Sequence, residues 1–156
     1  MATSSTDETI QTVSFVREIQ IAAPIEVAFD AVLAEAGPEG QMPDGTPFPF
    51  KLEAWPGGRW FRDLGGNAGH LWGHVQVIKP PKLLEICGPM FMSYPAINFL
   101  QYRLTAADNG TLLQITYRAM GLIPAEHREG VEEGWSHGLT RIREIAERRK
   151  TERSGK

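Results

Sequence analysis

The sequence predicts a single α+β domain in which a curved seven-stranded antiparallel sheet wraps around a long C-terminal helix. Three observations predict it: an alternating strand followed directly by a short helix, six further strand-like segments at hairpin spacing, and a closing helical stripe. No helix separates successive strands in the middle of the chain, which excludes a parallel doubly wound sheet and puts both helices on one face.

From Val13 to Ile21, the residues Val13, Phe15, Ile19 and Ile21 alternate with polar ones, the period of two that sets one strand face on a core. Pro24 suits a first helical turn, and Ile25, Ala28, Phe29, Val32 and Leu33 follow at helical spacing until Gly37-Pro38 ends the helix. Residues 37–49 hold four prolines and three glycines without periodicity and read as a long loop. Strands are then expected over 50–55, 59–64, 71–78, 82–87, 97–106 and 111–119. Their breaks carry turn chemistry. Pro56-Gly57-Gly58 and Gly65-Gly66-Asn67 supply positive φ, Pro80-Pro81 forbids ladder bonds, and Asn109-Gly110 favours a tight hairpin. After Pro124, Val131, Trp135, Leu139, Ile142 and Ile145 recur at steps of three and four, so the last helix is expected to bury Val131, Trp135, Leu139 and Ile142 against the sheet. Residues 1–11 and 151–156 read as disordered tails around one domain over 12–150.

Bulk properties agree with one core. A chain of 156 residues leaves little room for a second domain, and 42% apolar with 22% charged residues is an ordinary globular balance. The net charge of −3 supplies no positive field for a phosphate backbone, so nucleic acid is not an expected partner. The lone Cys87 cannot form an internal disulfide, which points to a reducing, cytoplasmic setting. The polar, acidic N-terminus lacks the pattern of a signal peptide, and no apolar run approaches the ~20 residues that span a bilayer.

A curled antiparallel sheet gripping one helix, the helix-grip arrangement, commonly leaves a gap between the two. The element order and several local strings resemble the homologues of the activator of the ninety-kilodalton heat-shock-protein ATPase, a family (AHSA-like) of the START-related and pollen-allergen SRPBCC superfamily. The strings are Ile21-Ala22-Ala23-Pro24 with Val27 and Phe29, Pro56-Gly57-Gly58-Arg59-Trp60, Gly73-His74-Val75 leading to Pro80-Pro81, and Gly134-Trp135 with Leu139 and Ile142. The resemblance runs from Val13 to Arg149 and implies the fold more firmly than an activity, because the superfamily includes lipid carriers, hormone receptors, cyclases and stress proteins. Three functions stay open: a carrier or sensor of an apolar, aromatic or lipid-like molecule, a cyclase- or hydrolase-like enzyme in the same cavity, and a co-chaperone-like interaction module.

The candidate ligand-binding residues are Trp72, Tyr102, Tyr117 and Trp135, with Glu53 and Arg17 as polar anchors. Tyr102 shares parity with Leu100 and Leu104, and Tyr117 with Leu113 and Ile115, so both phenols should face inward toward the Trp135 stripe. Leu71, Val75 and Val77 argue that Trp72 faces the other way, unless a bulge reverses it. Arg17, Glu53 and Arg103 sit among apolar neighbours. Turned into the cavity, Arg17 or Glu53 would orient a ligand's carboxylate or hydroxyl, and the competing reading leaves them on a solvated face. Further aromatic and sulfur side chains, Trp55, Trp60, Tyr94, Met90 and Met92, suit a pocket or ordinary core.

No cofactor, metal or catalytic residue is expected. His70 and His74 share one strand parity, but four residues of strand span about 13 Å, too far for one zinc. His127 and His137 are expected on different sides of the last helix. Adjacent Ser136 and His137 diverge on a helix and cannot act as nucleophile and base, and Cys87 reads as a small buried residue. Gly65, Gly66 and Gly69 read as a turn, because no helix follows to cradle phosphate. Gly130, Gly134 and Gly138 form a narrow ridge that suits tight packing or a cavity wall. The apolar Met90–Tyr94 segment offers a surface for a homodimer, the commonest closed assembly.

Overall fold

The computed structural model describes residues 8–154. These form β1 (Gln11–Ile21), α1 (Ile25–Glu35), β2 (Lys51–Leu52), β3 (Arg59–Gly65), β4 (Ala68–Lys79), β5 (Leu83–Gly88), β6 (Ala96–Ala107), β7 (Gly110–Gly121) and α2 (Ala125–Ser154). The parts of the expected tails at 1–7 and 155–156 lie outside the described residues. Gln11 is already strand, and α2 carries Thr151–Ser154 as its last turn, so helix replaces the tail expected there. Among the described residues no helix is long and apolar enough to cross a membrane.

The sheet is an antiparallel meander of order β1-β7-β6-β5-β4-β3-β2, with β1 returning to pair with the last strand. The β6–β7 hairpin sets the inward face. Leu100 lies opposite Tyr117, Tyr102 opposite Ile115 and Leu104 opposite Leu113, and all six are buried. Its tight turn places Asp108 and Asn109 between the paired Ala107 and Gly110, one residue earlier than the Asn-Gly signal suggests. The expected strand over 50–55 shrinks to Lys51–Leu52, because the chain turns at Trp55 and the Glu53 amide donates to the Arg59 carbonyl at 2.9 Å.

Helix α1 buries a face of small residues, Ala28, Ala31 and Ala34, beside Val27, Phe29 and Val32. Small side chains let it approach α2 closely, where Leu139, Ile142, Ile145 and Ala146 are buried. Arg148 and Arg149 of α2 reach Glu39 at 3.0 and 2.7 Å, and the Ala22 amide donates to Glu147 at 2.8 Å. The C-terminal half of α2 is thereby fixed to α1 and the loop that follows it. Val131, Leu139 and Ile142 are buried as the helical stripe predicts, but Trp135 is only half-buried. It stands where α2 lifts away from the sheet, with its ring 5.4 Å from Tyr117.

Candidate functional site

The site begins with a defect in β4. Trp60 pairs with Gly73 and Phe61 with Leu71, which leaves Trp72 as an extra residue opposite no partner. The bulge breaks the alternation, so His70 and Trp72 turn inward while Leu71 and His74 stay exposed. His70 and His74 therefore do not share a face, contrary to the parity read from an unbroken strand. Two glycines make the bulge possible: a Cβ on Gly88 would stand 2.4 Å from the Gly73 Cα, so neither strand tolerates a side chain where they cross. The Met90 amide donates to the Trp72 carbonyl at 2.8 Å and ties the next turn to the bulge.

Trp72 becomes the hub of an aromatic cluster. Its ring centroid lies 4.6 Å from Phe50, 5.2 Å from Trp60, 5.8 Å from Phe91 and 6.1 Å from Phe48. Phe48 and Phe50 come from the proline-rich loop, and the Arg62 guanidinium lies 3.7 Å above the Phe48 ring. Trp60 is locked by its indole N–H, which donates to the Ala36 carbonyl at 2.6 Å. The indole N–H of Trp72, by contrast, is buried without a hydrogen-bond partner among the described residues.

This cluster walls a cavity of about 270 Å³ between the sheet, the loop and the first half of α2. Helix α2 contributes Trp135, Val131, His127 and His137, together with the glycines at 130, 134 and 138. A Cβ at Gly130 or Gly134 would meet nothing within 4 Å, so the ridge borders open space there and is a cavity wall rather than a packing groove. His127 and His137 both reach the cavity. Ten helical residues separate them by a net angle of about 80°, inside the arc the cavity covers, which corrects the expectation of different sides.

Glu35, the last residue of α1, closes one end. Burial pushes its carboxyl up from the ordinary 4.5 to about 7, and the Arg141 guanidinium only partly opposes this. A Cβ on Gly138 would stand 3.4 Å from the Glu35 Oε1, so the missing side chain makes room for the carboxyl. The Nε2 of His137 is buried without a partner among the described residues. At the other end the Tyr94 hydroxyl is hydrogen-bonded to Nδ1 of His127, which clasps the 89–95 segment to α2.

Of the six residues expected at the site, Trp72 and Trp135 line the cavity. Tyr102 and Tyr117 face inward and are fully buried, but both belong to the core beneath it. Tyr117 donates its hydroxyl to Asn98, which donates in turn to the carbonyls of Gly88 and Pro89 at 3.2 and 3.1 Å. Burial raises the pKa of both phenols, with the Glu35 charge adding to the effect at Tyr102. Glu53 is no anchor: it grips Arg59 at 2.8 and 2.9 Å on the surface, and those hydrogen bonds hold its carboxyl down to about 2. Arg17 is exposed and ion-paired with Glu132 of α2, also outside the cavity. Trp55 is exposed, and Met90 and Met92 turn inward at 0% and 3% exposure, so of the Met90–Tyr94 segment expected to support a homodimer Phe91 and Tyr94 are the apolar side chains that stay part-exposed.

The chain matches no protein-family model and no curated protein. Solved structures do match. An uncharacterised protein from Rhizobium leguminosarum superposes with a TM-score of 0.70 at 18% identity, over 92% of this chain and 99% of that one. The chain has the helix-grip fold. CalU16 from Micromonospora echinospora aligns with a TM-score of 0.60 at 19% identity, over 92% of this chain and 87% of its own. The di-domain ARO/CYC StfQ of the steffimycin biosynthetic pathway aligns with a TM-score of 0.64 at 12% identity, over 93% of this chain and 52% of its own. At these identities the likeness shows the fold alone.

Proposed function

We propose that the protein is a binding domain for a small apolar molecule, aromatic or lipid-like, held in the cavity under the N-terminal half of α2. One observation carries this reading: a bulge breaks the β4 ladder to turn Trp72 inward, and the resulting aromatic cluster opens onto space that the α2 glycines leave clear. A cavity of about 150 Å³ holds benzene, so 270 Å³ accommodates two to three fused rings. A largely apolar lining with few polar groups is the composition of small-molecule sites. Membership of the AHSA-like family, proposed on the strings around Pro24, Pro56 and Trp135, and a cytoplasmic setting, proposed on the lone cysteine, both fit such a role.

A thermal-melt screen of fused-ring compounds tests this. A ligand at one hundred times its Kd should stabilise the protein by about 2.7 kcal/mol. Gly134→Leu, which projects a side chain into the open space, should abolish the shift while keeping the fold. A flat screen, or full binding by Gly134→Leu, overturns the assignment. A second reading, an acid/base enzyme in the same cavity, is favoured by the raised pKa of Glu35. Conversion of a bound ligand to product that is lost in Glu35→Gln would establish it, and recovery of every bound ligand unchanged would exclude it.

A further inference from the structure

Among the described residues, the cavity lining holds polar groups without a hydrogen-bond partner: the indole N–H of Trp72 and of Trp135, Nε2 of His137 and the carboxyl of Glu35. Glu35 reaches it from the end of α1 and His137 from α2, on either side of Gly138. The influences on the Glu35 carboxyl are burial and the charge of Arg141, with no hydrogen bond among the described residues. Arg141 does not discharge it, because its guanidinium is turned to the Glu144 carboxylate at 3.4 Å and the Glu39 carbonyl at 3.3 Å. Tyr102 of β6 is the other titratable group that senses the Glu35 charge. Nε2 of His137 is buried and has no partner among the described residues. A buried polar nitrogen without a partner is costly, and that of His137 borders the same space as the Glu35 carboxyl.

We propose that this end of the cavity recognises a hydroxyl carried on an aromatic ring, the O–H donating to the Glu35 carboxyl and its oxygen meeting Nε2 of His137, while the fused rings fill the space beside Trp72. The proposal rests on the ligand-binding reading and names the ligand's chemistry. The argument is one of complementarity. A carboxyl accepts whether or not it is protonated, and an imidazole nitrogen either donates or accepts. A hydroxyl both donates and accepts, so it satisfies the pair under every placement of the proton. An ether or ketone only accepts and faces a repelling lone pair whenever Glu35 is ionised, and a ligand carboxylate sets a second negative charge beside it.

Calorimetric titration of the full chain at pH 8 with naphthalene, 2-methoxynaphthalene, 2-naphthol and 2-naphthoate tests the proposal. The wild type should bind 2-naphthol about tenfold more tightly than naphthalene or the methyl ether, against the order of their hydrophobicity. Glu35→Met, similar in length but unable to accept a hydroxyl proton, should erase that preference while naphthalene affinity holds or improves. His137→Leu should reduce the preference severalfold and serves as the independent arm if Glu35→Met does not fold. Equal binding of 2-naphthol and its ether, a preference that survives both substitutions, or tightest binding of 2-naphthoate overturns the hydroxyl site and leaves the cavity assignment standing. If none of the four binds, the cavity assignment falls and the hydroxyl site with it.

Discussion

From Leu139 to Ser154, α2 buries Leu139, Ile142, Ile145 and Ala146 against α1 and the sheet and reaches Glu39 through two arginines. From Ala125 to Gly138 the same helix leaves Gly130 and Gly134 exposed and Trp135 half-buried. One element thus joins an anchor to a cavity wall. The anchor half can hold the wall half in place without filling the space below it, because helical rigidity carries position along the axis where packing does not. Stability should accordingly concentrate in the C-terminal half, and recognition in the N-terminal half.

The largest effect tests the anchor. Ile142→Ala deletes a fully buried side chain and should cost 2–5 kcal/mol, whereas Trp135→Ala, despite removing more atoms, should cost less because its ring is half-buried. Denaturant melts of the two variants rank them, and the reverse order would erase the distinction between the halves.

The next effect lies at the junction. Glu35 has its pKa raised from 4.5 to about 7, so its contribution favours folding fully below pH 4.5 and is lost as pH rises through about 7. Wild-type stability should fall between pH 5 and pH 8 relative to Glu35→Gln, by up to about 3 kcal/mol. Parallel curves for the two proteins across that range would show that the carboxyl is not desolvated.

A smaller gain is expected within the wall. Gly134→Ala meets no neighbour and should stabilise the helix by up to about 1 kcal/mol. At Gly138 the new methyl would press on the Glu35 carboxyl at 3.4 Å, so Gly138→Ala should gain less. Thermal melts that show equal gains would mean that both positions face solvent alike. The smallest effect is Arg149→Ala, which removes a partly exposed ion pair with Glu39 and should cost no more than about 1 kcal/mol. It should shrink further in high salt.

The fold was legible because its signals are local. Alternation in β1 and β7, the glycine- and proline-bearing turns, and the stripe from Val131 to Ile145 each state their element without reference to the rest. The site is not local. Phe48 lies in a loop without periodicity and Phe50 at the start of the strand expected over 50–55, and only the fold brings them to Trp72. The pairing across β3 and β4 decides that Trp72 faces inward, against the parity of Leu71 and Val75. The two phenols were oriented correctly by parity, but parity does not say whether an inward side chain meets a void or a neighbour, and Tyr117 met Asn98. Glu35 did leave a trace: it follows Val32 by three residues and Ala28 by seven, so it stands on the apolar stripe of α1, where a charge is costly.

The bulge at Trp72 gives β4 two reading frames. Upstream, one parity supplies the inner face; at Gly73 and Val75 the other does, until a second shift between Val75 and Val77 returns the first and sets Ile78 on the core. Exchanges at His70 or Trp72 should act chiefly on the aromatic cluster and cavity wall, and those at Val75 or Ile78 on the core. Losing the extra residue would be a frameshift in three dimensions. The chain could still pair along its length, with Leu71 opposite Phe61 and Gly73 opposite Trp60 as now, yet it would no longer put an indole at the centre of the aromatic cluster.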